Sequence, residues 1–373
     1  MSYQCFQLTD TLKSISIKGE LPENVQSNIY HPKNGLEWAE SLRFRTDSLQ
    51  SGYYYLELFN DSDTTLIPFL ISEVESKDIA IIASTSTWQA YNDWGGKSFY
   101  LDNRSPWGLK QIYQKWPSLK PLDFLPENRP LSFAKAELEG QMNGVEVLPD
   151  FSTYTDFEGV DVGSHLIRGE WNLIHYLHET NRPYSVYSMK EFERKGASIS
   201  AKVFLFNTHS EYWSKEMIAQ LKWLLSHGKS VIFAGGNNVF REISYYEKGI
   251  KVERNPEFSR EEISQLVGTY YTEMTYLKVA GYKNVNPNHW AMKGVGDTFG
   301  AYGASGYETD KIGPGSEEFT LLAVGENQAG PAYMVLKEVN DSTFIFNASS
   351  IMFTKGLTRD PDIQKIMNNL LSY

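Results

Sequence analysis

The apolar and polar positions change their rhythm several times along the chain, and each change predicts an element. SGYYYLELF (51–59) and TTLIPFLISEV (64–74) are runs rich in Tyr, Thr, Ile and Phe around the polar break NDSD, a hairpin pattern. LPENVQSNIYHPKNG, upstream, reads as loop. Residues 1–75 are therefore expected to form a small β-rich segment packed on the rest. At residue 77 the character changes. KDIAIIAST is a short continuous apolar run, suited to a strand buried on both faces. VGSHLIRGEWNLIHYLHETN places Ile167, Trp171, Ile174 and Leu177 on one helical face. PYSVYS follows as a strand. KVFLFN (202–207), a helix over 214–226 and KSVIFAGGNN (229–238) make a strand–helix–strand unit with short connections. That pattern predicts a parallel sheet covered by helices. Met217, Ile218, Leu221, Leu224 and Leu225 mark the buried side of the helix. Ser214 is its expected N-cap, Glu216 sits in its first turn, and Gly228 ends it. The chain closes with a hairpin around the ND turn of AYMVLKEVNDSTFIFNA. A last helix starts at Asp360 and Pro361 and carries Ile363, Ile366, Met367, Leu370 and Leu371.

Elsewhere periodicity is weak. STSTWQAYNDWGGKSFY, after the strand near 78–83, reads as a polar–aromatic connection. Residues 102–160 are rich in Pro, Asn, Asp and Gly and suggest an insertion or lid. Residues 240–330 read as loop-rich, with GVGDTFGAYGASGYETDKIGPGSEE as a Gly-dense surface excursion that could border a pocket. The expected fold is α/β, a mostly parallel sheet with helices on both faces. Residues 1–75 form the β-rich segment, and 76–373 form the α/β domain with insertions near 102–160 and 240–330.

Composition narrows the partners. A chain of 373 residues exceeds one ordinary core. A net charge of -11, with no basic tract to offset it, argues against nucleic acid. The single cysteine, Cys5, permits neither an intrachain disulfide nor a cysteine metal cluster, and fits a reducing, cytoplasmic setting. MSYQCFQLTDTLKSI lacks the basic-then-apolar pattern of a secretory signal, and the apolar runs are of strand length, so no membrane span is expected. With 23 Tyr, 20 Phe and 9 Trp, either the core is rich in rings or an aromatic pocket or carbohydrate surface exists.

In open α/β sheets, ligands bind beyond the carboxyl ends of the strands. STSTWQAYN, NTHSEYWS and AGGNN all fall at such ends. In FNTHSEYWS, His209 and Glu211 stand two apart, so both side chains can reach one point. Glu211 has the chemistry of a hard oxygen ligand or, if buried, a general base. His209 has that of a proton shuttle or a donor to an oxyanion. The plainer alternative is that Glu211 caps the next helix and His209 satisfies a hydrogen bond. Tyr91 offers a phenolate to a ferric ion, or simply packs with one hydrogen bond. Asn237 and Asn238, in GGNN, offer backbone amides and carboxamides to an anion or oxyanion, or mark a tight turn. There is no G-x-S-x-G, no H-E-x-x-H and no phosphate-binding loop.

Together, TSTWQAYNDWGGKSFY, NTHSEYWSKEM, FAGGNNVFREI and FIFNASSIMFTKGL resemble, in this order, the C-terminal catalytic region of the large subunit of N,N-dimethylformamidase. SLQSGYYYLELFNDSDTTLIPFLIS resembles the strand-rich segment before it, so the likeness covers most of 40–373. The resemblance implies a sandwich similar to the class I glutamine amidotransferase fold. It also implies a mononuclear iron held by two tyrosines and a glutamate, and hydrolysis of a formamide C–N bond. By motif position Glu211 matches the ligating glutamate, His209 the histidine beside it, and Tyr91 the first tyrosine. The second tyrosine would fall near NRPLSFAKAELEG, which has none; Glu137 is the nearest oxygen donor there. Asn237 or Asn238 would orient substrate, and Asn92 would support a ligand. Against that family the chain reads as a shortened relative without the large N-terminal carbohydrate-binding-like region. The expected substrate is a small amide or formamide, and a homo-oligomer stays open. Two other roles remain: a non-catalytic pocket for a small or sugar-like ligand, and an interaction role in an assembly.

Overall fold

A computed structural model describes residues 2–9, 12–21, 42–61, 64–72, 75–91, 131–132, 166–246, 249–328 and 330–373. Its strands, in chain order among the described residues, are β1 Ser2–Leu8, β2 Leu12–Glu20, β3 Gly52–Phe59, β4 Thr64–Ile71, β5 Ile79–Ala83, β6 Leu131–Ser132, β7 Tyr184–Ser188, β8 Val203–Thr208, β9 Tyr212–Trp213 and β10 Ser230–Gly235. They continue as β11 Arg241–Tyr246, β12 Gly249–Glu257, β13 Thr269–Ala280, β14 Tyr282–Asn284, β15 Thr298–Phe299, β16 Ser305–Ile312, β17 Thr320–Gly325, β18 Tyr333–Asn340 and β19 Thr343–Asn347.

The N-terminal strands form a small antiparallel sheet in the order β2-β1-β3-β4. The hairpin expected around NDSD pairs Gly52 with Ile71 through to Phe59 with Thr64. Tyr53 and Tyr55 of β3 join the main core with Leu8.

The central sheet runs β15-β14-β17-β18-β19-β10-β8-β5-β7. From β7 through β19 every pair is parallel. From β19 through β15 every pair is antiparallel. The sheet is thus mixed, where a mostly parallel one was expected. The tight turn between β18 and β19 forces an antiparallel hairpin, and the strands beyond it follow that sense.

Alternate residues of the parallel strands face two separate layers, as a period of two requires. Ile79 and Ile81 of β5, Leu205 and Ile232 pack against the helices Ile167–Glu179 and Pro361–Leu371 through Trp171, Ile174, Leu177, Ile366 and Leu370. Ala80, Ile82, Phe204, Phe206, Val231 and Phe233 pack on the other face against Met189–Lys195, Lys215–Ser226 and Arg260–Val267. Ser214 caps its helix by accepting the Met217 N–H, and Asp360 caps the last helix by accepting from Asp362 and Ile363. No helix among the described residues is long and apolar enough to cross a membrane.

Two segments differ from expectation. Thr85–Tyr91 is a helix rather than a connection, and Ser86 through Tyr91 are all buried. Polar Ser86, Thr87 and Gln89 are buried along with Trp88, Ala90 and Tyr91, so TSTWQAY has no apolar stripe to carry a helical signal. Residues 240–330, expected as loop-rich, hold β11 through β17. The supposed surface excursion contains β16, which pairs with β13 and is buried from Ser305 to Asp310. Its inward residues are polar, so no apolar alternation marked it. At Gly306 a Cβ would lie 2.4 Å from a methyl of Val279, so the glycine reflects close packing rather than a loop. The expected insertion at 102–160 lies outside the described residues, apart from β6, which pairs with β12.

Candidate functional site

The site grows from the carboxyl ends of β8 and β10, which run side by side with Thr208 opposite Gly235. Gly235 has no room for a side chain: a Cβ would lie 1.9 Å from the Thr208 carbonyl oxygen. Both strands then turn sharply. Thr208 and Asn237 have φ of 50° each, and Val239, Tyr307 and Ser349 have φ of 56°, 67° and 61°. Among the described residues only Asn181 is another non-glycine with left-handed φ. Such conformations cost about 1–3 kcal/mol each, and they gather where function over-determines the backbone.

The turn after β8 buries His209 and Glu211 completely or nearly so, at 0% and 2% exposure. Glu211 is anchored through its backbone N–H, which donates to Thr87 Oγ1 at 3.1 Å. Thr87 and Tyr91 lie one turn apart on the same helix, and the Tyr91 hydroxyl donates to Glu211 Oε2 at 3.2 Å. His209 Nε2 stands 3.4 Å from Glu211 Oε2 and 3.2 Å from Glu308 Oε2. Asn237 Nδ2 donates to Glu308 Oε2 at 2.9 Å. At the rim, half-buried Arg241 brings Nε to 3.6 Å from Glu211 Oε1. The three strand-end segments do meet. Burial alone would push the His209 imidazole down, but the carboxylates of Glu308 and Glu211 overcome it and hold it up at about 10. Both carboxylates thus favour the protonated form of the ring.

Ser214, not Glu211, caps the following helix. Tyr212 and Trp213 pack, Trp213 against Phe192, Phe206 and Phe233. The backbone amides of GGNN do not form an open anion hole. Gly236 N–H donates to Thr208 O, and the Asn237 and Asn238 amides serve Asp310, Asn237 N–H at 2.8 Å from Oδ1; just past the motif Val239 N–H donates to Ser210 O. Asn238 turns to Gly235 O and Asn347 Oδ1, away from His209. Glu137 and Asn92 lie outside the described residues.

Sequence reasoning passed over Glu308 and Asp310. Both sit on β16 in GYETDK, two residues apart, the same spacing that drew attention to His209 and Glu211. On a strand that spacing puts both on one face. Burial pushes the Asp310 carboxyl up to about 7, against the pull of the Asn237 and Asn238 amides and with Glu308 adding to the rise. A carboxyl raised on folding binds its proton more tightly in the folded chain. Its contribution is present below about pH 4 and is lost as pH rises to about 7. Asp310→Asn removes that loss. The variant's stability relative to the parent should therefore climb by at most about 1.4 kcal/mol per pH unit between those limits and then level off. Urea unfolding of both proteins from pH 5 to pH 8 measures it. A constant difference would place the titration elsewhere.

Tyr91 Oη and Glu211 Oε2, 3.2 Å apart, are the hard oxygen donors that a ferric ion takes. Among the described residues no group of three or more His, Cys, Asp or Glu is arranged to hold a metal.

The family described as N,N-dimethylformamidase beta subunit-like, C-terminal, matches residues 14–368. The chain belongs to that family. This corrects the resemblance drawn from the motifs, which pointed to the large subunit. The matching region is beta subunit-like, and it reaches back through β3 and β4 into β2 instead of beginning near residue 40. No curated protein matches this dimethylformamidase-like chain.

Proposed function

We propose that this protein hydrolyses the C–N bond of a small amide or formamide. The observation that carries the reading is the buried His209 held between Glu211 and Glu308, with Tyr91 on the same Glu211 oxygen. A proton donor and a carboxylate 3.2 Å apart are what amide hydrolysis needs: one group takes a proton from water while the other gives one to the leaving nitrogen. Glu308 takes the first role and His209 the second. Tyr91 and Glu211 would hold the iron that the family resemblance implies. Bound there, it would polarise the carbonyl oxygen. Arg241, at the rim, keeps the Glu211 carboxylate oriented and compensated.

The sheet, covered by helices on both faces, fits the class I glutamine amidotransferase-like sandwich, and the buried lone Cys5 fits a cytoplasmic setting. Many rings behind the ligand-binding alternative pack inside the layers, among them Phe204, Phe206, Phe233 and Trp213, which favours the enzyme reading.

The test is release of amine and acid from a panel of small formamides and amides by the purified full chain, as isolated and after incubation with ferrous iron. Turnover of at least one compound is expected. Absence of release from all of them in both states would overturn the proposal.

A further inference from the structure

Asn237 is held at both ends and offers something in the middle. Its backbone N–H is fixed by Asp310 Oδ1 at 2.8 Å, and its Nδ2 by Glu308 Oε2 at 2.9 Å. The residue is 2% exposed, with φ at 50°. Its Oδ1 is buried and has no hydrogen-bond partner among the described residues. The amide cannot be turned round to relieve this. Turning it would set Oδ1 against the Glu308 carboxylate, acceptor against acceptor.

A buried acceptor without a donor costs about 1–3 kcal/mol, and the left-handed backbone adds to that. The chain accepts both costs beside His209 Nε2, 3.4 Å from Asn237 Nδ2. Such an atom is suited to take a hydrogen from whatever enters the site. The nitrogen of a primary or secondary amide brings one; a tertiary N,N-dialkyl amide has none.

Resting on the hydrolase reading, we infer that the substrate is a primary or secondary amide or formamide whose N–H donates to Asn237 Oδ1, and that N,N-dialkyl amides are disfavoured. The same contact holds the nitrogen next to His209. Water adds its oxygen to the carbonyl carbon and the C–N bond breaks. The nitrogen leaves as ammonia from a primary amide or as an amine from a secondary one, with a proton from His209, and the proton lost by water goes to Glu308. A site built around such a contact rejects the analogue lacking it, because the acceptor is then left unpaired.

The experiment compares kcat/KM for N-methylformamide and N,N-dimethylformamide, in the parent and in Asn237→Gly, which keeps the left-handed backbone. The parent should favour N-methylformamide by at least about tenfold, and the variant should bring the ratio to within about threefold of unity, mostly by slowing N-methylformamide. A parent ratio at or below unity overturns the inference whatever the variant does. So does a ratio that the variant leaves unchanged. If the parent hydrolyses neither compound, the hydrolase reading is still decided by the full panel, and calorimetry with N-methylacetamide and N,N-dimethylacetamide decides the inference separately. Preference for the N–H ligand by at least about tenfold in the parent, absent from the variant, upholds it. Equal or undetectable binding of both overturns it.

Discussion

Glu211→Gln protein is expected to lose the iron proposed to bind beside Tyr91 and, on the order of a thousandfold, the proposed amide hydrolysis. The glutamine keeps the shape of the side chain and removes one charge. That charge faces three partners: the Tyr91 hydroxyl and His209 Nε2 on one oxygen, and the Arg241 guanidinium near the other. Without it, His209 still faces the Glu308 carboxylate and Arg241 that of Glu257, but the oxygen pair proposed to hold iron loses its anionic member. Breaking a buried charge network in this way also costs about 3–5 kcal/mol of stability. A thermal melt must therefore accompany the assay, with rates taken only where the variant is folded. Elemental analysis of parent and variant, beside amine release from the best substrate, measures the effect. Equal metal in both proteins with an unchanged rate would refute the role given to Glu211.

The second large effect falls on Glu308. Glu308→Gln should lower kcat by about a hundredfold to ten-thousandfold, the range for removing a positioned general base, while metal content stays at the parent's level. The separation matters because Glu211 and Glu308 both approach the same imidazole nitrogen, His209 Nε2. If both were merely counter-ions for His209, the two glutamine variants would behave alike. If Glu308 is the base, only Glu211→Gln loses metal. A Glu308→Gln rate within about threefold of the parent would remove it from the mechanism.

These two residues also show how far the sequence could be read. His209 and Glu211 were visible because they interrupt a clear strand–helix transition, where Gly, Asn or Ser would serve. The unit around them came through equally well, with β8, β10, the helix between them and the Ser214 cap all as expected. Its apolar residues face two layers and leave a pattern. Glu308 was not legible. It sits on a strand buried from Ser305 to Asp310, where Glu308 and Asp310 are held by hydrogen bonds and an ion pair instead of apolar area. The helix bearing Tyr91 was hidden for a similar reason: it is covered on all sides and buries Ser86, Thr87 and Gln89, so no apolar stripe sets a period.

The amino-acid pattern by itself determined the layered α/β plan, the N-terminal hairpin and the candidate pair at the end of β8. Each rests on local periodicity or on a turn that neighbouring residues specify. Only the tertiary structure decided that the sheet is mixed, that the GGNN amides serve Asp310 and neighbouring carbonyls, and that Glu308 completes the cluster. Those outcomes depend on which strand ends meet, and Asn237 and Glu308, 2.9 Å apart in space, are separated by 71 positions in the chain. Contacts over that distance arise from strand pairing and packing, and no local pattern encodes them.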